Sequence, residues 1–208
     1  MGQINNILMV VTILVVVFCG FSQTETGKFK AQLALGVNNP SSEGFVEGFK
    51  GKTVNFPTVQ FGLQYMVLGR FGAKLDYGFN RIASSAQSLP FKLNYSRINV
   101  QMVYDTTKWL ALSPRIGAFV HAGPGWSKVV PLGVYGGNKT SFLNVLGGLE
   151  LHYGLSDSLT IFADTSYNYA FGKEFSPISS GFGAFNGNLL AVTFGLSISL
   201  SGCYFCGN

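Results

Sequence analysis

Apolar and polar residues alternate along most of this chain with a period of two. The clearest stretch sets Phe71, Ala73, Leu75, Tyr77 and Phe79 against Gly72, Lys74, Asp76 and Gly78. Successive side chains of a strand leave on opposite faces, so the pattern predicts a strand with one apolar face and one polar or small face. Just before it, Val59, Phe61, Leu63, Tyr65 and Val67 alternate with Gln60, Gly62, Gln64 and Met66. Only residues 68–70 separate the two, which predicts a tight hairpin. A first strand sets Phe29, Ala31, Leu33, Leu35 and Val37 against Lys30, Gln32, Ala34 and Gly36.

The same reading continues to the end. The fourth strand places Ile98, Val100, Met102 and Tyr104 outward and Arg97, Asn99 and Gln101 inward; the fifth sets Ile116, Ala118, Val120 and Ala122 against Arg115, Gly117, Phe119, His121 and Gly123. The sixth sets Val145, Gly147, Leu149, Leu151 and Tyr153 against Asn144, Gly148, Glu150 and His152. The seventh sets Ile161, Ala163, Thr165, Tyr167 and Tyr169 against Phe162, Asp164, Ser166 and Asn168. The eighth sets Leu190, Val192, Phe194, Leu196, Ile198 and Leu200 against Ala191, Thr193, Gly195, Ser197 and Ser199. Two irregularities are expected. Apolar parity flips between Tyr95 and Ile98, which suggests a bulge or a later start, and Pro114 lacks an N–H, so the fifth ladder begins after it.

Connections alternate in length. Those near Gly69, at 105–108 and at 155–158 are tight; those at 38–55, 83–92, 127–141 and 172–187 are longer and rich in Gly, Ser, Asn and Pro. Strands of roughly ten residues match a tilted bilayer crossing, and short turns at one end with long loops at the other mark outer-membrane barrels. The expected fold is all-β, an eight-stranded antiparallel up-and-down transmembrane β-barrel in the outer membrane, with both termini and the short turns in the periplasm.

Alternation alone does not say which face is inside, because a soluble barrel has the same period with its apolar face inward. Composition decides. Only 11% of residues are charged, against about 25% in soluble domains, too few to solvate a barrel's outside. The polar face is rich in glycine, which suits the crowded interior of eight strands. Aromatics gather at strand ends: Tyr65, Phe71, Tyr104, Trp109 and Tyr153 by the short turns, and Phe56, Tyr77, Phe79, Trp126, Tyr169 and Phe171 by the long loops. These form two interfacial girdles.

The N-terminus supports export. Residues 7–18 form an apolar run too short to span a bilayer as a helix, and Gly20 and Ser22 occupy the small positions of a cleavage site. Residues 1–22 are expected to be a cleaved signal peptide, 23–200 the barrel and 201–208 a short periplasmic tail. Cys19 is a poor lipidation site because Phe18 precedes it. After cleavage Cys203 and Cys206 remain, a C-x-x-C without the helix of a redox motif, expected as a disulfide in an oxidising compartment. The net charge of +5 comes from scattered bases, which argues against a nucleic-acid partner.

Inward parity collects charge. Lys74, Arg97 and Arg115 with Asp76, Glu150 and Asp164 form an expected lumen ion-pair network, since an unpaired buried charge is very costly. With Gln60, Gln64, Asn99, Gln101, Asn144 and Asn168 they plug the lumen; the functional alternative is a narrow proton or ion path. His121 and His152 are inward too, but a metal site needs three or four converging ligands and no third is defined. Ser166 stands by Asp164 without a placed base, no Gly-x-Ser-x-Gly occurs, and Gly181 and Gly183 lack the strand–turn–helix context of a phosphate loop. No catalytic residue, metal or cofactor is expected.

The segments RFGAKLDYGFNRI (70–82), IGAFVHAGPG (116–125) and LSDSLTIFAD (155–164) resemble strands of the OmpA-like N-terminal barrel family of Bacteroidetes, and the likeness of pattern covers essentially the mature chain. The resemblance implies an eight-stranded barrel closed by polar residues, with no catalytic residues to carry over. With the sequence ending at Asn208, the expectation is a barrel without the family's C-terminal peptidoglycan-binding domain. Two functions follow. One is a structural barrel or an accessory subunit of a larger outer-membrane complex, with membrane lipid as its other partner. The alternative is a surface-binding or adhesion barrel acting through loops 38–55 and 172–187, whose Phe45, Phe49, Phe175, Phe182 and Phe185 sit where water is expected, which suggests a partner or packing between loops.

Overall fold

A computed structural model describes residues 29–110 and 115–200. The expected signal segment 1–22, Pro114 and the tail with Cys203 and Cys206 lie outside the described residues. The chain forms a closed barrel in the order β1 (Phe29–Pro40), β2 (Asn55–Leu68), β3 (Phe71–Ala83), β4 (Lys92–Asp105), β5 (Ile116–Pro131), β6 (Thr140–Gly154), β7 (Leu159–Ala170) and β8 (Leu189–Ser199). Every strand is antiparallel to its neighbours in the chain. β8 returns to β1 in unbroken register from Lys30 opposite Ser199 to Pro40 opposite Leu189, so no strand edge is left open.

Alternation sets the two surfaces. Leu33, Leu35, Phe61, Leu75, Ile98, Val100, Met102, Leu149, Leu151, Phe194 and Leu196 all stand exposed on the outer wall. Such a continuous apolar wall is a surface for hydrocarbon, far beyond the patches a soluble monomer exposes. Inside, buried polar side chains outnumber buried apolar ones among the described residues, the reverse of a soluble core. Aromatic girdles mark both rims. Phe71, Tyr104 and Trp109 pack in series at the short-turn end, with centroids 4.8 and 5.3 Å apart, and Tyr169 meets Phe171 at 5.2 Å at the loop end.

Several expectations need correction. β4 pairs with β3 in continuous register from Phe71 opposite Tyr104 to Ala83 opposite Lys92, with no bulge at Tyr95. The parity flip is real but has another cause: Leu93 and Tyr95 are fully buried inside the barrel, because the interior turns apolar near the loops. The strands also run further into the loop end than the pattern predicted; β5 alone continues to Pro131, so its loop shrinks to 132–139. Conversely, the connection after β4 is not a tight turn at 105–108. It occupies residues 106–115 and contains a short helix, α1 (Thr107–Leu110).

Inward glycines make room for charge. A Cβ on Gly78 would lie 2.7 Å from Arg97 Nε, and one on Gly148 would lie 2.6 Å from the His121 ring. Long lumen side chains lie across the space these residues leave empty.

Candidate functional site: the sealed lumen

The interior has three storeys. The middle one is polar and charged. Lys74 on β3 donates to Glu150 on β6, and Arg97 on β4 donates to Asp76 on β3. Glu150 is the hub: it also accepts from Gln32 Nε2 at 2.9 Å and lies 2.7 Å from His152 Nε2. Gln101 reaches Asp76 at 3.3 Å and also meets His121 Nδ1, whose Nε2 lies 3.3 Å from Asp164.

From Arg97 a hydrogen-bond chain climbs toward the loops. Arg97 Nη1 donates to Asn99 at 3.2 Å, Asn99 to Asn144 at 2.5 Å, and Asn144 to Ser127 at 2.8 Å. Ser127 Oγ meets the Tyr95 hydroxyl at 2.6 Å, which also accepts from Asn168 Nδ2. Six of the eight strands contribute to these contacts, so the polar core ties opposite walls together.

Arg115 is not part of this network. β5 begins at Ile116, so Arg115 falls in the turn beyond the rim, exposed, and its carbonyl accepts from Gly154 N at 2.9 Å. The third buried cation is Lys30 on β1, 5% exposed, with Nζ 4.8 Å above the Phe119 ring. Its inward parity was legible beside Gln32. Its depth was not, because a terminal-strand lysine reads as easily as a rim charge.

Among the described residues Lys30, Lys74 and Arg97 thus stand buried with Asp76, Glu150 and Asp164, three bases and three acids. His121, Glu150 and Asp164 also bring one ligand atom each within 4.8 Å of one another, one of the two histidines with two of the acids rather than the histidine pair. Their chemistry does not call for an ion. Glu150 is already held by Lys74 and Gln32, and a metal there would face the Lys74 ammonium at contact distance. Ser166, beside Asp164 on the same face, is 2% exposed inside the same closed space.

Among the described residues, aromatic side chains pack inside the lumen toward both ends. Toward the short turns, the His152 ring stacks on Phe162 at 5.1 Å and meets Phe119 edge-on at 5.0 Å. Toward the loops, Ile82, Leu93, Tyr95, Val129, Phe142 and Leu189 from the strands join Phe49, Phe91 and Phe185 from the loops in one buried cluster. Of the two readings of the loop phenylalanines, a partner or packing between loops, the structure shows packing. Phe49 and Phe185 are buried, Phe45 and Phe175 are half-buried, and Phe182 alone of the five is exposed, at 38%.

Phe45 meets Phe185 at 4.8 Å and Phe91 at 5.4 Å, and Phe49 meets Phe182 at 5.5 Å. Backbone bonds lace the same loops: Ser41 N to Asn188 O at 2.8 Å, Ser85 N to Lys50 O at 2.8 Å, and Leu89 N to Gly48 O at 3.1 Å. Asn138 Nδ2 reaches the carbonyls of Ser179 and Phe182, each at 2.9 Å. The loops form a lid with its own core. Between loops 41–54 and 171–188 the lid leaves a cleft of about 460 Å³, lined by Glu43, Glu47, Glu174, Phe45, Phe175 and Ile178 among others.

No protein-family model matches the chain, and neither does any curated protein sequence. Solved structures do. The chain is similar to Neisserial surface protein A at 14% identity, covering 85% of this chain and 99% of that one with a TM-score of 0.57. It is similar to a major outer membrane protein from Thermus thermophilus at 10% identity, covering 84% and 99%, TM-score 0.57. It is similar to the outer membrane protein OprG from Pseudomonas aeruginosa at 9% identity, covering 85% and 97%, TM-score 0.53. At these identities the likeness is one of fold: a closed, antiparallel, eight-stranded barrel of the kind found in outer membranes.

Proposed function

We propose that this chain is an integral outer-membrane protein of the OmpA-like barrel type, with both termini in the periplasm, acting as a non-conducting, non-catalytic structural barrel and accessory subunit of a larger outer-membrane assembly. The observation that carries this reading is the doubly sealed lumen: a charge-balanced polar core between the Phe119, His152 and Phe162 rings and the loop-end aromatic cluster. Sealed ends leave no aqueous path for ions and no access for a substrate to Ser166 or the histidines. The working surfaces are then the lipid-facing wall and the lid. A planar-bilayer recording of the purified barrel, paired with mild-detergent extraction from outer membranes, tests the reading. Silence in the bilayer and stoichiometric co-extraction with a larger barrel are expected. Sustained single-channel currents refute the sealed lumen, and a lone monodisperse barrel refutes the accessory role.

A second reading has one specific observation behind it. The cleft between loops 41–54 and 171–188 combines three glutamates with Phe45 and Phe175, which suits a cationic, partly apolar ligand at the cell surface. Deleting residues 172–187 would abolish surface binding on that reading and leave it intact otherwise.

A further inference from the structure

Two backbone bonds clamp loop 41–54 to loop 171–188. Ser41 N donates to Asn188 O at 2.8 Å, and Asn186 N donates to Gly44 O at 3.1 Å. Gly44 and Gly187 touch backbone to backbone, with room for no side chain between them. Val46 and Phe175 pack from the two loops onto the bare backbone of Gly181, where a Cβ would lie 2.6 Å from the Phe175 ring. The cleft of about 460 Å³ between the loops is therefore preformed, and its size is that of a small-ligand pocket.

Its charge is of one sign. Glu43, Glu47 and Glu174 stand exposed along it, and none of the three forms an ion pair or a side-chain hydrogen bond among the described residues. Lys50 and Lys52 of the first loop line a separate cleft of about 190 Å³ instead. A cleft lined by one sign of charge over low-dielectric walls concentrates ions of the other sign. The apolar surface continues beyond its mouth. Ile178 lines the cleft and is still 65% exposed, Phe182 follows it after one helical turn, and Val134, 91% exposed, stands on the loop that Asn138 ties to Phe182. Apolar side chains grouped in this way mark a contact surface.

We propose that this cleft docks a basic peptide, an extended chain carrying at least two cationic side chains with an apolar one between them. The inference rests on the reading of the cleft as a surface site and narrows its ligand. Three carboxylates are more than one amine can meet, and the strip of Ile178, Phe182 and Val134 runs past the volume that a small amine fills. The peptide's bases pair with Glu43, Glu47 and Glu174, while its apolar side chain lies against Phe45 and Phe175.

The full chain, folded into phosphatidylcholine nanodiscs, is titrated by calorimetry with a capped lysine–phenylalanine–lysine tripeptide, and the signal of empty discs is subtracted. Capped lysine–serine–lysine supplies the charge alone, and phenethylamine supplies one amine with a ring. Burial of the phenyl ring is expected to make the first peptide bind at least about 10-fold tighter than the second. Three exposed ion pairs are together worth roughly a 10-fold change, so Glu43→Gln/Glu47→Gln/Glu174→Gln lowers its affinity by that factor. Ile178→Ser lowers it roughly 3-fold. Asp157→Asn, an equal kind of charge loss in the turn between β6 and β7, leaves it unchanged. Every substituted position is exposed, and mobility on unheated gels reports the folding of each variant. Salt raised from about 0.05 to about 0.5 M weakens binding to the parent, a test that needs no variant. Equal affinity of the triple variant, equal affinity of lysine–serine–lysine, or indifference to salt overturns the proposal. Phenethylamine binding as tightly as the peptide, and lost in the triple variant, overturns the peptide while leaving the cleft a site for small amines. No binding of any of the three probes removes the cleft as a site and the proposal with it.

Discussion

Lys74 and Glu150 stand 76 positions apart in the chain and on non-adjacent strands, β3 and β6, yet bond directly inside the barrel. The contact runs across the lumen rather than along one wall, with both side chains out of reach of solvent. Removing one partner of such a buried pair strands the other, at a cost of about 3–5 kcal/mol. Lys74→Met is therefore expected to destabilise the barrel by that order, and Lys74→Met with Glu150→Gln by clearly less. Urea unfolding in lipid vesicles of the two singles and the double measures the coupling; an additive cycle would remove the pair from the account.

The exchange of Arg115 for Lys30 gives a sharper contrast. Arg115 is exposed beyond the rim, where even a paired side chain contributes about 0–1 kcal/mol, so Arg115→Ala is expected within about 1 kcal/mol of the parent. Lys30→Met removes one of three buried cations and leaves the acids in excess, a loss expected at about 3 kcal/mol. The same unfolding assay ranks them, and equal effects would return Arg115 to the network.

Gly148 tests how tightly the lumen is filled. Gly148→Ala drives a methyl to within 2.6 Å of the His121 ring, and overpacking of this kind costs about 1–3 kcal/mol. Gly147, one residue away with its nearest atom at 3.9 Å, is expected to accept alanine with little change. The neighbouring pair, compared by thermal unfolding, separates interior from exterior at single-residue resolution.

The outer wall predicts a depth-dependent penalty. Val100 is 61% exposed midway along β4, so Val100→Lys should cost about 2–4 kcal/mol in a bilayer. Phe185→Ala, by contrast, opens a cavity in the lid. It is expected to expose loops 41–54 and 171–188 to added protease, whereas Phe182→Ala is not. Cleavage mapping of intact barrels reads the difference.

Strand number, order and facing were all legible from period-two alternation, because a lipid-facing wall leaves little freedom about where apolar side chains go. The reading failed where the interior itself becomes apolar. Leu93 and Tyr95 looked like outward residues out of step, when they are inward residues of the lid's core. The loop phenylalanines stayed open between partner contact and loop packing for a related reason: local sequence shows that Phe49 and Phe185 sit in loops, not that four loops converge over the lumen. Arg115 failed differently. Parity says which face a residue takes, not whether the strand has begun, and a helical turn before β5 displaced the start.

The β1–β8 seam bears on how the barrel comes into being. Seven of its eight strand pairings join neighbours in the chain, and each can form as a hairpin with a short search. The seam joins Lys30 to Ser199, across nearly the whole barrel-forming chain, and it forms only when that chain has closed on itself. Closure entropy grows with the length enclosed, and pairings distant in sequence are the slow ones. Assembly time is therefore set at one junction. So is lifetime: a ring has no end from which to fray, and the finished barrel comes apart only by opening somewhere along its whole height.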